Sequence, residues 1–255
     1  QYHMPVEHQY MRNWNRGYLD FSKANALRQK NDPIMIAIYS DILQKFRLAA
    51  KGQRKGAMPP EHLKSRIVKY FDPLPFWYPP LEDEVTDLNE FSLNAITQRP
   101  MAMYHSWDSQ NAWLRQIHSH NYLYVNTKTA LEHGINDGAW MWIESQWGKV
   151  KCMARHSEAV DPGTVWTWNA IGKAESAWSL DPASDESKKG FLLNHLITEE
   201  LSLGGFSVSN SDPITGQAGW YDVRVKLAAA GENEPEETWP QVKAHRVPGM
   251  IKNKS

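Results

Sequence analysis

Short apolar runs separated by turn signals fill the chain between residues 91 and 228. Turn signals such as Asp137-Gly138, Trp147-Gly148 and Asp161-Pro162-Gly163 bound these runs and favour tight connections. Other segments have helical spacing, one of them ending at Gly134, and a helix or a turn begins at Gly190. The pattern therefore predicts a mainly β domain, a barrel with inserted helices. The predicted strands are 91–97, 122–125, 139–145, 149–155, 164–168 and 218–227, and the predicted helices are 112–117 and 129–133.

The first ninety residues follow a different pattern. Residues 1–33 show little periodicity and are predicted to be irregular, whereas 34–39 predict a short strand. Helices are predicted from Ser40 to Gly52 and over 62–70. Four prolines within residues 72–80 forbid a helix and predict an extended linker. The predicted division is 1–90 as an irregular and helical segment with its Pro-rich linker, 91–228 as the barrel, and 229–255 as an extended tail that a partner would order.

Charge and cysteine content narrow the classes of function. The 255 residues include 28 basic and 29 acidic side chains, for a net charge of -1, so bulk charge gives no reason to expect nucleic acid or an anionic membrane. The single cysteine, Cys152, excludes an internal disulfide and a cysteine-ligated iron–sulfur cluster within this sequence, and its strand-like surroundings predict burial. The first residues lack both Met and a signal-peptide pattern, which favours a processed or excerpted chain.

The 12 tryptophans admit more than one interpretation. Packing in a core or an interface is the ordinary role of so large a ring. Stacking on sugars and packing around a large planar cofactor are alternatives, and a carbohydrate-binding β module would show Trp side chains in a flat, exposed line. Burial of Trp140, Trp142, Trp166 and Trp168 would count against it. A structural subunit that shares the barrel and uses its linker and tail for assembly is a third possibility.

Two polar segments carry the candidate chemistry. Residues 97–111 read Thr-Gln-Arg-Pro-Met-Ala-Met-Tyr-His-Ser-Trp-Asp-Ser-Gln-Asn, and residues 212–225 read Asp-Pro-Ile-Thr-Gly-Gln-Ala-Gly-Trp-Tyr-Asp-Val-Arg-Val. Both are polar turns rich in hydrogen-bond donors beside strand-like runs. Such turns suit a polyanionic ligand better than a hydrophobic one.

The order of these motifs resembles the last domain of the molybdopterin oxidoreductases, the dimethyl sulfoxide reductase family. Thr97-Gln98-Arg99 is similar to the family's Thr-Gly-Arg turn, with Gln98 in place of Gly. Tyr104-His105-Ser106 is similar to its aromatic–His–Ser/Thr element. Ala139 stands where the family often has Asp. The remaining matches are Ile38-Tyr39-Ser40-Asp41, the Pro-rich linker, Ala130, the run from Gly134 to Gly138, Gly148, the run from Asp161 to Trp166, Asn194 and Thr215-Gly216-Gln217.

The resemblance implies a six-stranded double-psi β-barrel that binds bis-molybdopterin guanine dinucleotide with molybdenum or tungsten. Arg99 would contact a phosphate or a pterin carbonyl, and polar side chains would satisfy the edges of the rings. His105 would donate to the pterin, and small residues after Gln217 would let the backbone approach a flat ligand. The implied cofactor-binding residues are Thr97, Gln98, Arg99, His105, Ser106, Trp107, Asn111, Asn194, Gln217, Ala218 and Gly219. Taken singly, such residues are more often exposed ion pairs, structural histidines or caps.

The same resemblance implies the wider setting. The chain would be the C-terminal part of a catalytic subunit, with the metal ligand and the iron–sulfur cysteines on sequence absent here, so it would be inactive alone. The linker and the run from Trp168 to Gly172 favour the sulfur-compound branch, namely sulfite dehydrogenase or thiosulfate, polysulfide or tetrathionate reductase. Partners would be the rest of that subunit, an iron–sulfur electron-transfer protein, and a quinone-reactive subunit in the membrane. The compartment would be the bacterial cytoplasm or periplasm, with the cytoplasm favoured.

Overall fold

The computed structural model describes residues 40–54, 56, 58–72, 77–109, 111–169, 171–172, 181, 184–203, 206–218, 223–238 and 240–243. These residues fall into two compact units. The first contains the residues up to Pro79 together with Asp212–Gln217, and the second contains Pro80–Ser211 and the residues from Ala218 on. The predicted irregular segment 1–33 and the predicted strand 34–39 lie outside the described residues.

Two helices lie in the described part of the first unit. Helix α1 spans Ser40–Ala50 and helix α2 spans Glu61–Tyr70, which confirms both predicted helices. Arg47 ties the end of α1 to the chain around α2, since its Nη1 lies 2.6 Å from Asp72 Oδ2 and its Nε donates to Val68 O at 3.1 Å. The Phe46 and Phe71 rings meet edge to face beside this contact, with centroids 5.9 Å apart.

Six strands of the second unit close into a barrel. These strands are β1 Leu93–Gln98, β2 Tyr122–Val125, β3 Trp140–Ser145, β4 Gly148–His156, β5 Thr164–Trp168 and β8 Val223–Ala229. Their order in the sheet is β2-β5-β1-β8-β3-β4, and β4 returns to pair with β2. Two of the pairs are parallel, β1 with β5 and β2 with β4, and the other pairs are antiparallel. This arrangement confirms the predicted mainly β fold with a closed six-stranded barrel.

The barrel interior is filled by alternate residues of these strands. Along β3 the burial alternates at every position, so Met141 and Ile143 are fully buried while their neighbours reach the surface. Helix α3, Thr127–Glu132, follows β2 and adds Ala130 to the same core. Cys152 lies in this core as predicted, and burial raises the pKa of its thiol far above the usual range. Cys152 therefore acts as a small apolar residue rather than as a ligand or a nucleophile.

Several elements differ from the sequence prediction. The predicted helix 112–117 is a single 3-10 turn, Leu114–Gln116, and the segment after Gly190 forms another at Leu193–Leu196. Of the predicted last strand, 218–227, residues 223–227 belong to β8 and Ala218 forms an isolated bridge with Ser211, whereas residues 219–222 lie outside the described residues. A hairpin of β6, Glu200–Leu203, and β7, Phe206–Ser209, was not predicted.

The described part of the C-terminal tail lies along β3 and β4. The short strand β9, Gln241–Val242, pairs with the start of β4. Glu234 accepts a hydrogen bond from Trp142 Nε1 at 2.8 Å and lies 3.5 Å from the buried Lys151 ammonium. The barrel itself therefore holds the tail as far as Lys243. Among the described residues, no helix is both long enough and apolar enough to cross a membrane.

Candidate functional site

One end of the barrel, which we name the Gln98 end, gathers most of the predicted site residues. Strands β1 and β5 are parallel and finish there side by side, with Gln98 opposite Trp168. Strands β2 and β8 are antiparallel to β5 and β1 respectively, so both begin at that end. The loop from Arg99 to Asn121, which joins β1 to β2, therefore lies over the Gln98 end.

The predicted turn Thr97-Gln98-Arg99 finishes β1 at this end. Thr97 is buried, whereas Gln98 and Arg99 are exposed. The carbonyl of Gln98 accepts a 2.7 Å hydrogen bond from the backbone N–H of Asn169, which extends the ladder between β1 and β5 by one residue. No carboxylate or other acceptor of the described residues contacts the Arg99 guanidinium. An exposed arginine without an acidic neighbour is available to an anion from outside the barrel.

The loop after Arg99 holds His105 in an unusual backbone conformation. With φ at 48°, His105 is the one non-glycine residue with positive φ in the described part of the chain. It begins a 3-10 turn, His105–Trp107, that contains the backbone of Ser106. Asp108 stabilises this turn by accepting a 2.7 Å hydrogen bond from the backbone N–H of Tyr104. A strained histidine in a polar loop is typical of a functional position.

Two tryptophan side chains of this loop are largely exposed. Trp107 is 77% exposed and Trp113 is 79% exposed. Asn111, another predicted contact residue, uses its side-chain oxygen locally, because Oδ1 accepts from the backbone N–H groups of Trp113 at 3.0 Å and Leu114 at 3.4 Å. Its oxygen thus caps the 3-10 turn that follows, and its amide nitrogen remains as the group that could contact a ligand.

Asn194 reaches the same end from a distant part of the sequence. It lies in the 3-10 turn Leu193–Leu196, whose two leucines are buried and whose Asn194 is exposed. Ser145 ends β3 at the Gln98 end and fixes this turn, because its hydroxyl donates to Leu196 O at 2.8 Å. Asn194 is therefore presented to solvent on a rigid support.

Asn121 holds these parts together and was missed by the sequence analysis. It is only 2% exposed and immediately precedes β2. Its Nδ2 donates to Trp168 O at 2.9 Å and to Phe191 O at 3.1 Å, while its Oδ1 accepts from Thr167 Oγ1 at 2.9 Å and from Trp168 N at 3.3 Å. An Asn directly before an apolar strand was the available signal, but the partners that define its role are up to 70 residues away.

The second predicted segment, Asp212–Gln217, is a closed turn within the first unit. Asp212 organises it, since its Oδ1 accepts from Ile214 N at 2.9 Å and Thr215 N at 2.7 Å, and Tyr78 OH donates to its Oδ2 at 2.7 Å. Gln217 is exposed, and its carbonyl accepts from Asp212 N at 2.6 Å. Ala218 is exposed and belongs to the second unit, whereas Gly219 lies outside the described residues.

The stabilisation that the Asp212 turn gives to the fold should depend on pH. Burial raises the pKa of Asp212, but the hydrogen bonds from Thr215, Tyr78 and Ile214 outweigh burial and hold that pKa below its usual value. A lowered pKa means that the carboxylate stabilises the fold above its unfolded pKa of about 4 and ceases to do so as the pH falls through the folded value. We expect wild type to melt above Asp212→Asn at neutral pH, and the difference to shrink in acid. A difference in melting temperature that stays constant from pH 7 to acid would contradict this.

The tryptophans of the barrel do not form a flat, exposed line. Trp140, Trp142, Trp166 and Trp168 are all half-buried. Trp166 stacks on Tyr124 with ring centroids 4.0 Å apart, and Trp168 meets Trp166 edge to face at 4.8 Å. Lys149 and Lys151 cover the face of Trp142. The half-burial of these four rings and their packing against neighbouring side chains count against a carbohydrate-binding module.

Comparison with known proteins agrees with this geometry. The family model described as "Molydopterin dinucleotide binding domain" matches residues 93–204, from the start of β1 into the β6–β7 hairpin. One of the sulfite dehydrogenase subunits of Allochromatium vinosum is 59% identical over 254 residues, which cover 98% of this chain and 26% of that protein. Dopamine dehydroxylase of Eggerthella lenta is 28% identical over 146 residues, covering 50% of this chain and 14% of that protein.

A further relative, acetylene hydratase of Syntrophotalea acetylenica, is 29% identical over 99 residues, which cover 37% of this chain and 14% of that protein. The chain thus spans about a quarter or less of the length of each of these relatives. A closed barrel, the ordered motifs at its Gln98 end and these matches lead to one conclusion. The chain belongs to the molybdopterin oxidoreductase family typified by dimethyl sulfoxide reductase, and its barrel is the molybdopterin dinucleotide-binding domain.

Proposed function

We propose that this chain supplies the cofactor-binding barrel of a larger catalytic subunit, which uses bis-molybdopterin guanine dinucleotide with molybdenum or tungsten for two-electron redox chemistry on a sulfur compound. One observation carries the cofactor assignment: the Gln98 end carries Gln98, Arg99 and the His105 turn from one segment of the sequence and the 3-10 turn of Asn194 from a distant one. The name of the Allochromatium relative, a sulfite dehydrogenase, supports the sulfur-compound substrate.

The residues at the Gln98 end fit a flat, phosphorylated ligand. The Arg99 guanidinium, which no described residue pairs, matches a phosphate oxygen pair or a ring carbonyl. Asn194 and the Asn111 amide nitrogen can bond to the edges of fused rings, which carry both donors and acceptors. The exposed Trp107 can cover an apolar ring face and exclude water. When bound, the cofactor supplies the redox chemistry at its metal, and this chain binds and orients it.

The wider assembly follows from the same proposal. The remaining three-quarters of the catalytic subunit would carry the metal ligand and most substrate contacts. An iron–sulfur subunit would accept or deliver the electrons, and a membrane subunit would exchange them with quinone. Gln217, Ala218 and Gly219 are the remaining residues that the family resemblance assigns to the cofactor.

The proposal is tested on the parent protein purified with all of its subunits. Denaturation should release a pterin–guanine species, identified by mass and by the fluorescence of its oxidised form, together with molybdenum or tungsten. If the parent protein comes from a host that loads its molybdenum or tungsten enzymes normally and still releases no pterin species, the proposal is overturned.

Substitution of Arg99 tests the site itself. Hydrogen bonds to charged groups contribute about 1.5–3 kcal/mol each, so Arg99→Ala should release cofactor at least ~10-fold faster in mild denaturant. Arg99→Lys keeps the charge but loses the bidentate geometry of the guanidinium, so its rate of cofactor release should lie between those of wild type and Arg99→Ala. Arg155→Ala is the matched control, because Arg155 is exposed near Asp137 at the opposite end of the barrel. Equal release rates for Arg99→Ala and Arg155→Ala would remove Arg99 from the site.

A further inference from the structure

Asn169 has a buried side-chain oxygen with no hydrogen-bond partner among the described residues. It directly follows β5 at the Gln98 end, and its backbone N–H donates to Gln98 O at 2.7 Å. Its Oδ1 is fully screened from solvent, yet no described donor lies within bonding distance. The only other described side-chain atom in this condition is Ser184 Oγ, a hydroxyl that can rotate.

The surroundings of Asn169 make this unpaired oxygen unusual. The neighbouring Asn121 uses both ends of its amide in four hydrogen bonds. Thr167, two residues before Asn169, bonds to Asn121 Oδ1 and to Tyr122 O. A buried acceptor left unpaired costs about 1–3 kcal/mol, so a fold that pairs the polar groups around it should not leave this one without a purpose.

We propose that Asn169 is a further cofactor-binding residue, whose Oδ1 accepts a hydrogen bond from a ring N–H of the pterin–guanine dinucleotide. This inference rests on the proposed function. An amide oxygen can only accept, so its partner must be a donor, and the pyrimidinone edges of pterin and guanine each present N–H and NH2 groups. The backbone bond to Gln98 fixes Asn169 beside Arg99, so one ligand can engage both the guanidinium and the amide.

The inference predicts effects of opposite sign with and without cofactor. In the cofactor-free protein, Asn169→Leu removes an unpaired buried acceptor, so its melting temperature should equal or exceed that of wild type. In the loaded protein the same change removes a ligand contact, and pterin should be released about 3–10-fold faster in mild denaturant. Asn169→Asp keeps an accepting oxygen and should release pterin more slowly than Asn169→Leu.

The experiment uses the parent protein from a normal host and from a host unable to make the pterin–guanine cofactor. Asn89→Leu is the control, since Asn89 is exposed in the turn before β1. A lower melting temperature of the cofactor-free Asn169→Leu protein would assign Asn169 a structural role and overturn the inference. So would a release rate equal to that of wild type, or Asn169→Asp releasing pterin as fast as Asn169→Leu. Absence of pterin from the wild-type protein would instead defeat the proposed function.

Discussion

Replacing Asn121 with leucine should lower the free energy of unfolding of the barrel by about 3–5 kcal/mol, the largest effect that we expect from a single polar substitution. Asn121 is 2% exposed and joins three segments: the start of β2, the end of β5 and the chain at Phe191. Leucine has a similar volume but leaves the carbonyls of Trp168 and Phe191 and the N–H of Trp168 buried without their partner. Each such group costs about 1–3 kcal/mol.

An isosteric change separates lost hydrogen bonds from altered packing. Asn121→Asp keeps the shape and the accepting oxygen but places a second oxygen against the carbonyls of Trp168 and Phe191. We therefore expect it to be destabilising to a similar degree at neutral pH, when the carboxylate is charged. Pulse proteolysis of the parent protein in urea measures both variants, with the exposed Asn89→Leu as the control. If Asn121→Leu unfolds at the same urea concentration as Asn89→Leu, the Asn121 hydrogen bonds do not stabilise the barrel.

Adding a methyl group at Gly190 should be almost as harmful. A Cβ at this position would lie 2.6 Å from Ile171 O and 2.7 Å from Gly172 Cα, and a Cβ at Gly172 would lie 2.8 Å from the backbone of Phe191. These are backbone atoms, which cannot turn aside as a flexible side chain can. Gly190→Ala must therefore push Gly190 and Phe191 away from Ile171 and Gly172, which lowers the free energy of unfolding by about 2–4 kcal/mol.

The position of this contact links stability to the site. Moving Phe191 strains the bond from Asn121, and moving Ile171 shifts Asn169, so Gly190→Ala should also accelerate pterin release from the parent protein. Gly231→Ala provides the matched control, because its Cβ would lie 3.4 Å from Glu234 Oε1, an ordinary van der Waals distance, and we expect a change in the free energy of unfolding below about 0.5 kcal/mol. Equal urea midpoints for the two alanine variants would show that the Ile171–Gly190 contact can relax freely.

The local sequence pattern predicted the bounds of a strand correctly where a capping residue or a turn motif lies directly next to the strand. The bounds of β2 and β5 match the prediction because Asn126 caps the helix after β2 and the Asp161-Pro162-Gly163 turn precedes β5. The β6–β7 hairpin shows the limit. Its strands have only four residues each, and their short apolar alternation beside two glycines was too brief to separate from the preceding turn.

The site shows a different limit. Arg99, His105 and Asn194 were predicted as site residues because their motifs occur in a recognisable order. Asn121 stands in no such motif, and Asn169 lies in the run from Trp168 to Gly172, which assigned no role to its side chain. The hydrogen-bond partners of Asn121 and Asn169 lie 46 to 71 residues away, a relation that is created only when β1, β2 and β5 meet. Single-sequence reasoning detects residue types that suit a ligand, whereas the oxygen of Asn169 is seen to lack a partner among the described residues only when their positions in the fold are known.

The position of β8 has a consequence for biosynthesis. This strand lies between β1 and β3 in the sheet order, although it is the last long strand of the described residues. A ribosome must therefore release residues up to Ala229 before the sheet can close, and until then the facing edges of β1 and β3 stay open to other chains. A nascent chain with this topology therefore exposes two unpaired strand edges until β8 has left the ribosome.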